Sequence, residues 1–303
     1  MKQSRPRVSS FKDPQGGPAF LEAWNARVEA LNGSVYQRLT VETDFGATRI
    51  WAHQPERLDL PPLVFLPGAR TCGLFWDLDH VLAPLKSAHR IYIPDVVGQP
   101  GLSAGQCPDI KTLDYGVWAE QVFKGLKLER ATVIGASQGG LIGVKLCLKA
   151  PDCVEKLIML NPGGIQPFST RFKNLYYNFL PMLLPGEKSL RAFFDAVVLH
   201  PPTHTVSAPA YRLMLDYMHL ALTGFRFAGD YPTPLRPEEL RGVPNDTHLV
   251  LGDQDLLFPT QGTIQIAQAH FQALRSVNVL PGIGHGIETS PQAIAALQQI
   301  LAA

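Results

Sequence analysis

The amino-acid sequence predicts an α/β protein: a mostly parallel twisted sheet with helices on both faces and a helical cap inserted into it. Three observations carry that expectation. First, short continuous apolar runs bounded by Gly, Pro or Asp recur along the chain: LVFL from 63, IYI from 91, ATVI from 131, LIML from 157, HLVL from 248 and VNVL from 277. Runs of this kind suit strands buried on both faces, as in a parallel sheet between helix layers. Second, helical patterns lie between the runs. Trp118, Val122 and Leu126 share one face, Leu141, Val144 and Leu148 a second, and Ile294, Leu297 and Leu301 a third. This alternation implies right-handed crossovers and an open sheet. Third, the alternation stops from about Ile165 to Leu240, where short helical pieces are punctuated by prolines from Pro181 to Pro237. So long a stretch is not a simple loop, and it predicts an inserted cap with its own structure.

The expected organisation is an N-terminal arm and helix at 1–33, a core domain at 34–164 and 241–303, and a helical cap at 165–240. The opening segment MKQSRPRVSSFKDPQGG has positive charge but no apolar run after it. It reads as a mobile arm rather than a secretory signal. Ala19 to Leu31 has helical spacing in Phe20, Trp24, Val28 and Leu31, and SVYQRLTVET with ATRIWAHQ reads as a β-hairpin at a sheet edge.

At 303 residues the chain can bury roughly three quarters of its unfolded surface without needing disulfides or metal. The 27 basic and 26 acidic residues leave a formal charge of +1 and no basic stripe, which argues against a nucleic-acid or polyanion partner. Cys72, Cys107, Cys147 and Cys153 are scattered without a CxxC pair and read as reduced, partly buried thiols. The apolar run NLYYNFLPMLLPG is broken by Pro181 and Pro185 and falls short of the roughly 20 residues a membrane span needs. A soluble, cytoplasmic protein is expected.

Chemistry enters at Gly135-Ala136-Ser137-Gln138-Gly139, a G-x-S-x-G between a strand pattern and a helix pattern. A sharp strand-to-helix turn strains the serine backbone, and small residues two positions either side let the chains pass closely. The hydroxyl then projects above the sheet beside a helix N-terminus, which favours developing negative charge. A serine hydroxyl needs a base to take its proton and an acid to orient the base. Among nine histidines, His285 in VLPGIGHGIETSP is the candidate base. It follows the last buried strand, with glycines on both sides. His248 falls within a strand, and His53, His80, His89, His219 and His270 lack such a setting. His200 and His204 are kept from a helical i, i+4 pair by Pro201 and Pro202, so no metal site is expected. The acid belongs after the strand at 248, where VLGDQDLLFP offers Asp253 and Asp255. Oxyanion donors are expected from the Gln138 N–H and from the loop Leu66-Pro67-Gly68-Ala69-Arg70, chiefly the Ala69 N–H, with Arg70 second.

With these residues assembled, the chain resembles the α/β-hydrolase superfamily, and most closely its capped, esterase-like members, from about Tyr36 to the C-terminus. The matching segments are GASQGG, LGDQD, GIGHGIETSP, VFLPGA and IYIPDVVGQPGLS. The family's G-x-x-D spacing from Gly252 favours Asp255 as the acid. Two departures stand out. The family's D-x-x-G-x-G-x-S fits Asp95, Gly98, Gly101 and Ser103 only with one inserted residue, so that loop is expected to be reshaped. Pro67 stands where many relatives have histidine, which bears on the oxyanion loop. The resemblance implies cleavage of a small-molecule ester through an acyl-enzyme, with Ser137 as nucleophile, His285 as base, Asp255 orienting the imidazole, and Ala69 and Gln138 N–H groups on the oxyanion. It implies no cofactor.

Serine at the elbow argues against dehalogenase and epoxide-hydrolase relatives, which carry aspartate there. Gln138 is unlike the methionine usual in cofactor-free perhydrolases. Carbon–carbon bond hydrolases and thioesterases share the triad, and a hydrolase-like ligand receptor is the alternative from another class. Phe172, Tyr176, Tyr177, Phe179, Leu180, Met182, Phe193, Phe194 and Met214 suggest an apolar pocket under the cap, at least half of them serving as the cap's own core. They point to a medium-sized, largely apolar ester. Arg70 reads as a solvated side chain, with recognition of an acidic substituent as the alternative.

Overall fold

The computed structural model describes residues 7–303. In chain order the elements are β1 (Ser10–Phe11), α1 (Gly16–Asn32), β2 (Gln37–Thr43), β3 (Gly46–His53), β4 (Pro62–Leu66), α2 (Ala83–Lys86), β5 (Arg90–Pro94), α3 (Asp114–Gly125), β6 (Ala131–Ala136), α4 (Gln138–Lys149) and β7 (Val154–Leu160). They continue as α5 (Phe172–Leu183), α6 (Glu187–Phe193), α7 (Ala208–Thr223), β8 (Phe225–Arg226), α8 (Pro237–Arg241), β9 (Asp246–Gly252), α9 (Thr260–His270), β10 (Leu274–Leu280) and α10 (Pro291–Ala302). Two short 3₁₀ turns separated by a kink at Asp77, Leu78 and Asp79 lie within Gly73–His80, and a π-turn, Phe194–Val198, follows α6.

Eight strands form one sheet in the order β10-β9-β7-β6-β4-β5-β3-β2. The expected edge hairpin β2–β3 is antiparallel, as is β3 against β5, and every other neighbour pair is parallel. All six apolar runs are strands of this sheet.

Because side chains alternate across a strand, a doubly covered sheet needs two cores. Leu63, Phe65, Ile91, Ile93, Ile134 and Ile158 point into one, shared with α1, α7 and α10. Their neighbours Val64, Leu66, Tyr92, Val133, Leu157 and Met159 point into the other, shared with α3, α4 and α9. Each fully buried side chain of this size contributes about 1.5–3 kcal/mol, which is why the runs are continuous rather than alternating.

The first core reaches beyond the sheet through an aromatic group. Trp24 of α1 stacks on Phe75 at 5.4 Å, Phe75 meets Tyr217 of α7 edge-on at 4.6 Å, and the Trp24 Nε1–H donates to the Leu213 carbonyl at 2.8 Å. Helix α7 lies inside the stretch expected to form the cap, yet Leu213, Met214, Leu215 and Tyr217 are all buried in this core. The described part of the arm also departs from expectation. Ser10 and Phe11 pair antiparallel with Arg226 and Phe225, Arg7 is ion-paired with Asp230 at 2.9 Å, and the Cys107 N–H donates to the Arg7 carbonyl. A two-residue strand whose partner lies more than 200 positions away leaves no local signal. Residues 1–6 of that arm lie outside the described residues. All four cysteines are unpaired, and no helix among the described residues is long and apolar enough to cross a membrane.

Candidate active site

Strand β6 lies in the middle of the sheet, and the chain turns into α4 at Ser137. This residue has φ +50° and ψ −116°, a region that costs a non-glycine residue about 1–3 kcal/mol. The surroundings hold it there. The Ser137 N–H donates to the Leu160 carbonyl at 3.0 Å, and its own carbonyl accepts from Gly163 N–H at 2.9 Å. The flanking glycines follow from contact rather than flexibility. A Cβ at Gly139 would lie 1.9 Å from the Leu66 carbonyl oxygen, and one at Gly135 would lie 2.3 Å from the Gly139 carbonyl carbon. Gly140 lies against Pro162 in the same way, its Cβ position 2.8 Å from the proline Cβ.

Three of the residues singled out in the sequence meet above this turn. The Ser137 hydroxyl lies 3.0 Å from His285 Nε2, and His285 Nδ1 lies 2.8 Å from Asp255 Oδ2. With the proton on Nδ1 donated to Asp255, Nε2 is left as an acceptor for the serine hydroxyl. The second Asp255 oxygen accepts from the N–H groups of Leu257 (2.8 Å) and Phe258 (3.1 Å), and the carboxylate is almost wholly buried. Asp253, left open by the sequence, instead accepts the Gly282 N–H at 2.7 Å and closes the turn after β10.

The histidine loop is fixed from two sides. His285 and Gly286 donate their backbone N–H groups to the Val197 and Val198 carbonyls of the π-turn at 2.9 and 2.8 Å. From below, Asn161 Nδ2 donates to the carbonyls of Gly284 (2.9 Å) and His285 (3.2 Å), while its Oδ1 accepts the Gly252 N–H at 2.8 Å. One buried amide thus ties together the loops that carry the acid and the base. The sequence reading passed over Asn161. Its signal was a polar residue at the carboxyl end of a parallel strand, where sites in such sheets collect.

The Gln138 N–H is the first amide of α4, one that helix geometry leaves without an internal partner. The Ala69 N–H likewise has no protein acceptor among the described residues, whereas the Arg70 N–H is taken by Gln99 Oε1 at 2.7 Å. The Arg70 guanidinium is not free in solvent: it lies over the rings of Phe227 and Tyr231 and donates to the Tyr231 hydroxyl.

A cavity of about 80 Å³ opens on Ser137 and His285, with Ala69, Phe75, Phe194, Val198, Met214 and Met218 around it. Larger clefts, such as one of about 380 Å³ between Arg191 and Tyr211, contain none of the candidate residues. Of the nine cap residues expected at a pocket, only Phe194 and Met214 reach this one. Phe172, Tyr176, Phe179 and Met182 are instead exposed on α5. The spacing of an apolar helical stripe does not say whether a partner lies against it.

Burial by itself pulls the His285 imidazole toward its neutral form. The charge and hydrogen bond of Asp255, with the charge of Glu288, outweigh it and hold the histidine above its ordinary value. Glu288, on the same cavity wall, is pushed up by burial and by the Asp255 charge, against the pull of His285.

His200 and His204 meet only through a backbone bridge, and the His204 Nε2–H donates to Thr289 Oγ1 at 2.9 Å. Burial, with the neighbouring His200, holds the His204 imidazole down at about 4. The native state keeps this ring neutral while the unfolded chain protonates near 6.5, so stability falls as pH drops from 6.5 toward 4. The loss approaches about 3 kcal/mol. Melting temperatures at pH 7.5 and 4.5 should therefore differ less in His204→Gln than in the wild type; equal drops in both would refute the assignment.

The sheet order, the strained serine turn and the serine–histidine–carboxylate line place this chain in a known class. The profile of the Alpha/beta hydrolase family matches residues 63–297, and the chain belongs to that family. Two relatives are from Bacillus subtilis (strain 168). The "Uncharacterized carboxylesterase nap" is 26% identical over 251 residues, covering 81% of this chain and 79% of its own. "Carboxylesterase YbfK" is 24% identical over 280 residues, covering 91% and 90%. Among solved structures, naproxen esterase from Bacillus subtilis superposes with a TM-score of 0.78 at 23% identity over 95% of this chain and 98% of its own.

Proposed function

We propose that this protein is a serine hydrolase of ester bonds, a carboxylesterase acting on medium-sized, largely apolar esters. The observation that supports this most is the unbroken hydrogen-bond line from Ser137 through His285 to Asp255, ending on an apolar cavity. Carboxylesterases are also among its relatives.

In this reading Ser137 Oγ attacks the ester carbonyl carbon while His285 Nε2 takes its proton. The electron pair displaced onto the carbonyl oxygen is met by the Ala69 and Gln138 N–H groups. Collapse expels the alkoxide, which leaves with the proton from His285. Water, deprotonated by the same nitrogen, then releases the carboxylic acid and restores the serine. Asp255 keeps the imidazole in the required tautomer and stabilises it when charged. In this reading residues 165–240 serve as the cap on a core of 34–164 and 241–303, with Phe194, Val198, Met214 and Met218 lining the cavity at Ser137.

A serine-directed fluorophosphonate and a chain-length series of p-nitrophenyl esters and thioesters test the proposal together. Ser137 is expected to be labelled in the wild type and silent in Ser137→Ala, with oxygen esters of intermediate length turned over fastest. Absence of labelling with no turnover of any ester would refute it, and a preference for thioesters would reassign the substrate class.

A further inference from the structure

The loop Asp95–Ser103 carries one residue more than the family spacing, and the structure shows where the extra length goes. Gly98 has φ +84°, and two tight turns follow, from the Gln99 N–H to the Val96 carbonyl (3.0 Å) and from the Gly101 N–H to the Gln99 carbonyl (2.7 Å). The ends are fixed: Asp95 Oδ2 accepts the Leu102 N–H at 2.7 Å, and the Tyr217 hydroxyl donates to the Pro100 carbonyl at 2.6 Å. The result is that Gln99, a polar side chain, is turned inward and only 1% exposed.

Its amide spans two elements. Gln99 Oε1 accepts the Arg70 N–H at 2.7 Å, and Gln99 Nε2 donates to Gln138 Oε1 at 3.3 Å; Gln138 Nε2 in turn faces the Tyr115 hydroxyl at 3.1 Å. The orientation follows from chemistry, since a backbone N–H can only donate. The atom facing Arg70 must be the oxygen, so nitrogen faces Gln138 and the Gln138 oxygen must turn toward it. Arg70 itself sits at φ +59°, a left-handed conformation that a non-glycine residue keeps only when neighbours hold it.

We propose that Gln99 is a positioning residue that holds the two oxyanion donors in register. It grips the residue after Ala69 through the backbone and the residue after Ser137 through the side chain, so the spacing between the Ala69 and Gln138 N–H groups is set by one rigid amide. The assignment rests on the esterase reading above, because an oxyanion donor matters only if a tetrahedral intermediate forms. Among the described residues Gln99 makes no hydrogen bond to Ser137, and it does not line the cavity. Its effect is therefore on the transition state rather than on substrate binding.

Gln99→Leu keeps the volume and removes both hydrogen bonds. With p-nitrophenyl butyrate we expect kcat to fall about 10- to 100-fold with KM within about threefold, by comparison with the loss of a whole oxyanion donor. The Ki of a trifluoromethyl ketone, which forms the tetrahedral adduct on serine, should rise by the same factor as kcat/KM falls. Gln99→Glu keeps an acceptor for Arg70 but sets oxygen against Gln138 Oε1, so it should recover only part of the activity. If Gln99→Leu does not fold, Gln99→Asn, too short to span both partners, takes its place with the same expectations. Unchanged kcat, or a loss of kcat without the parallel rise in Ki, overturns the proposal. Failure of the esterase reading is distinct: wild-type protein would then show no Ser137-dependent turnover.

Discussion

His285→Ala is expected to lower kcat for a p-nitrophenyl ester by a factor on the order of 10⁶, with KM little changed and the protein still folded. The size follows from the geometry. Nε2 lies 3.0 Å from Ser137 Oγ, and no other titratable group is hydrogen-bonded to that hydroxyl among the described residues. Without the imidazole the serine must lose its proton to water, and the leaving alkoxide must depart without one. The same logic fixes the double variant: Ser137→Ala with His285→Ala should be no slower than either alone, because the pair acts as a unit. What survives in all three is the contribution of the oxyanion donors and of binding, about 10³-fold over water. Steady-state kinetics with melting curves decide it; a His285→Ala protein within about tenfold of wild type would mean another base serves Ser137.

Asp255→Asn is expected to lower kcat by a factor of about 10⁴ for a different reason. The shape of the site is kept, but the amide nitrogen now faces His285 Nδ1 across the 2.8 Å contact. The imidazole answers by moving its proton to Nε2, where it points at Ser137 and can no longer accept. The variant also carries a pH signature. The Asp255 charge and hydrogen bond are what lift His285 above its ordinary value against burial. Their removal lowers its pKa, so the acid limb of kcat/KM moves to lower pH. Asp253→Asn keeps the acceptor for the Gly282 N–H and should stay within about fivefold of wild type, as expected of a surface turn residue. Equal damage from both substitutions would mean that Asp255 acts through loop structure alone.

Much of this site could be read from the sequence, for identifiable reasons. Strands buried on both faces have to be continuous apolar runs, so each of the six could be placed. The serine turn has to carry small residues at 135 and 139, because Gly139 packs on the Leu66 carbonyl and Gly135 on Gly139 itself. Asp255 and His285 stand at strand ends, where the spacing of one motif to the next carries information. What stayed hidden depends on side chains reaching across the fold. Asn161 works because β7 ends between the loops that hold Gly252 and Gly284, and Gln99 works because an inserted residue turned it inward. Neither is a pattern along the chain. The cap was harder still: α5 and α7 both show apolar spacing, yet α7 is buried against Trp24 and Phe75, while Phe172 on α5 is 83% exposed. Their difference lies in what packs against them.

The π-turn has a mechanical consequence. Its carbonyls at Val197 and Val198 hold the His285 and Gly286 amides, and a Cβ at Gly284 would lie 2.5 Å from the Leu199 carbonyl oxygen. Residues 194–199 and the histidine loop therefore form one rigid body. A hinge that lifted this stretch would carry the imidazole away from Ser137, switching the enzyme off as it opened. Among the described residues, helix α5 carries no such hydrogen bond to the histidine loop. Upkeep of the reactive geometry thus rests with the π-turn rather than with α5, and exposed α5 positions such as Phe172 can vary without removing these hydrogen bonds.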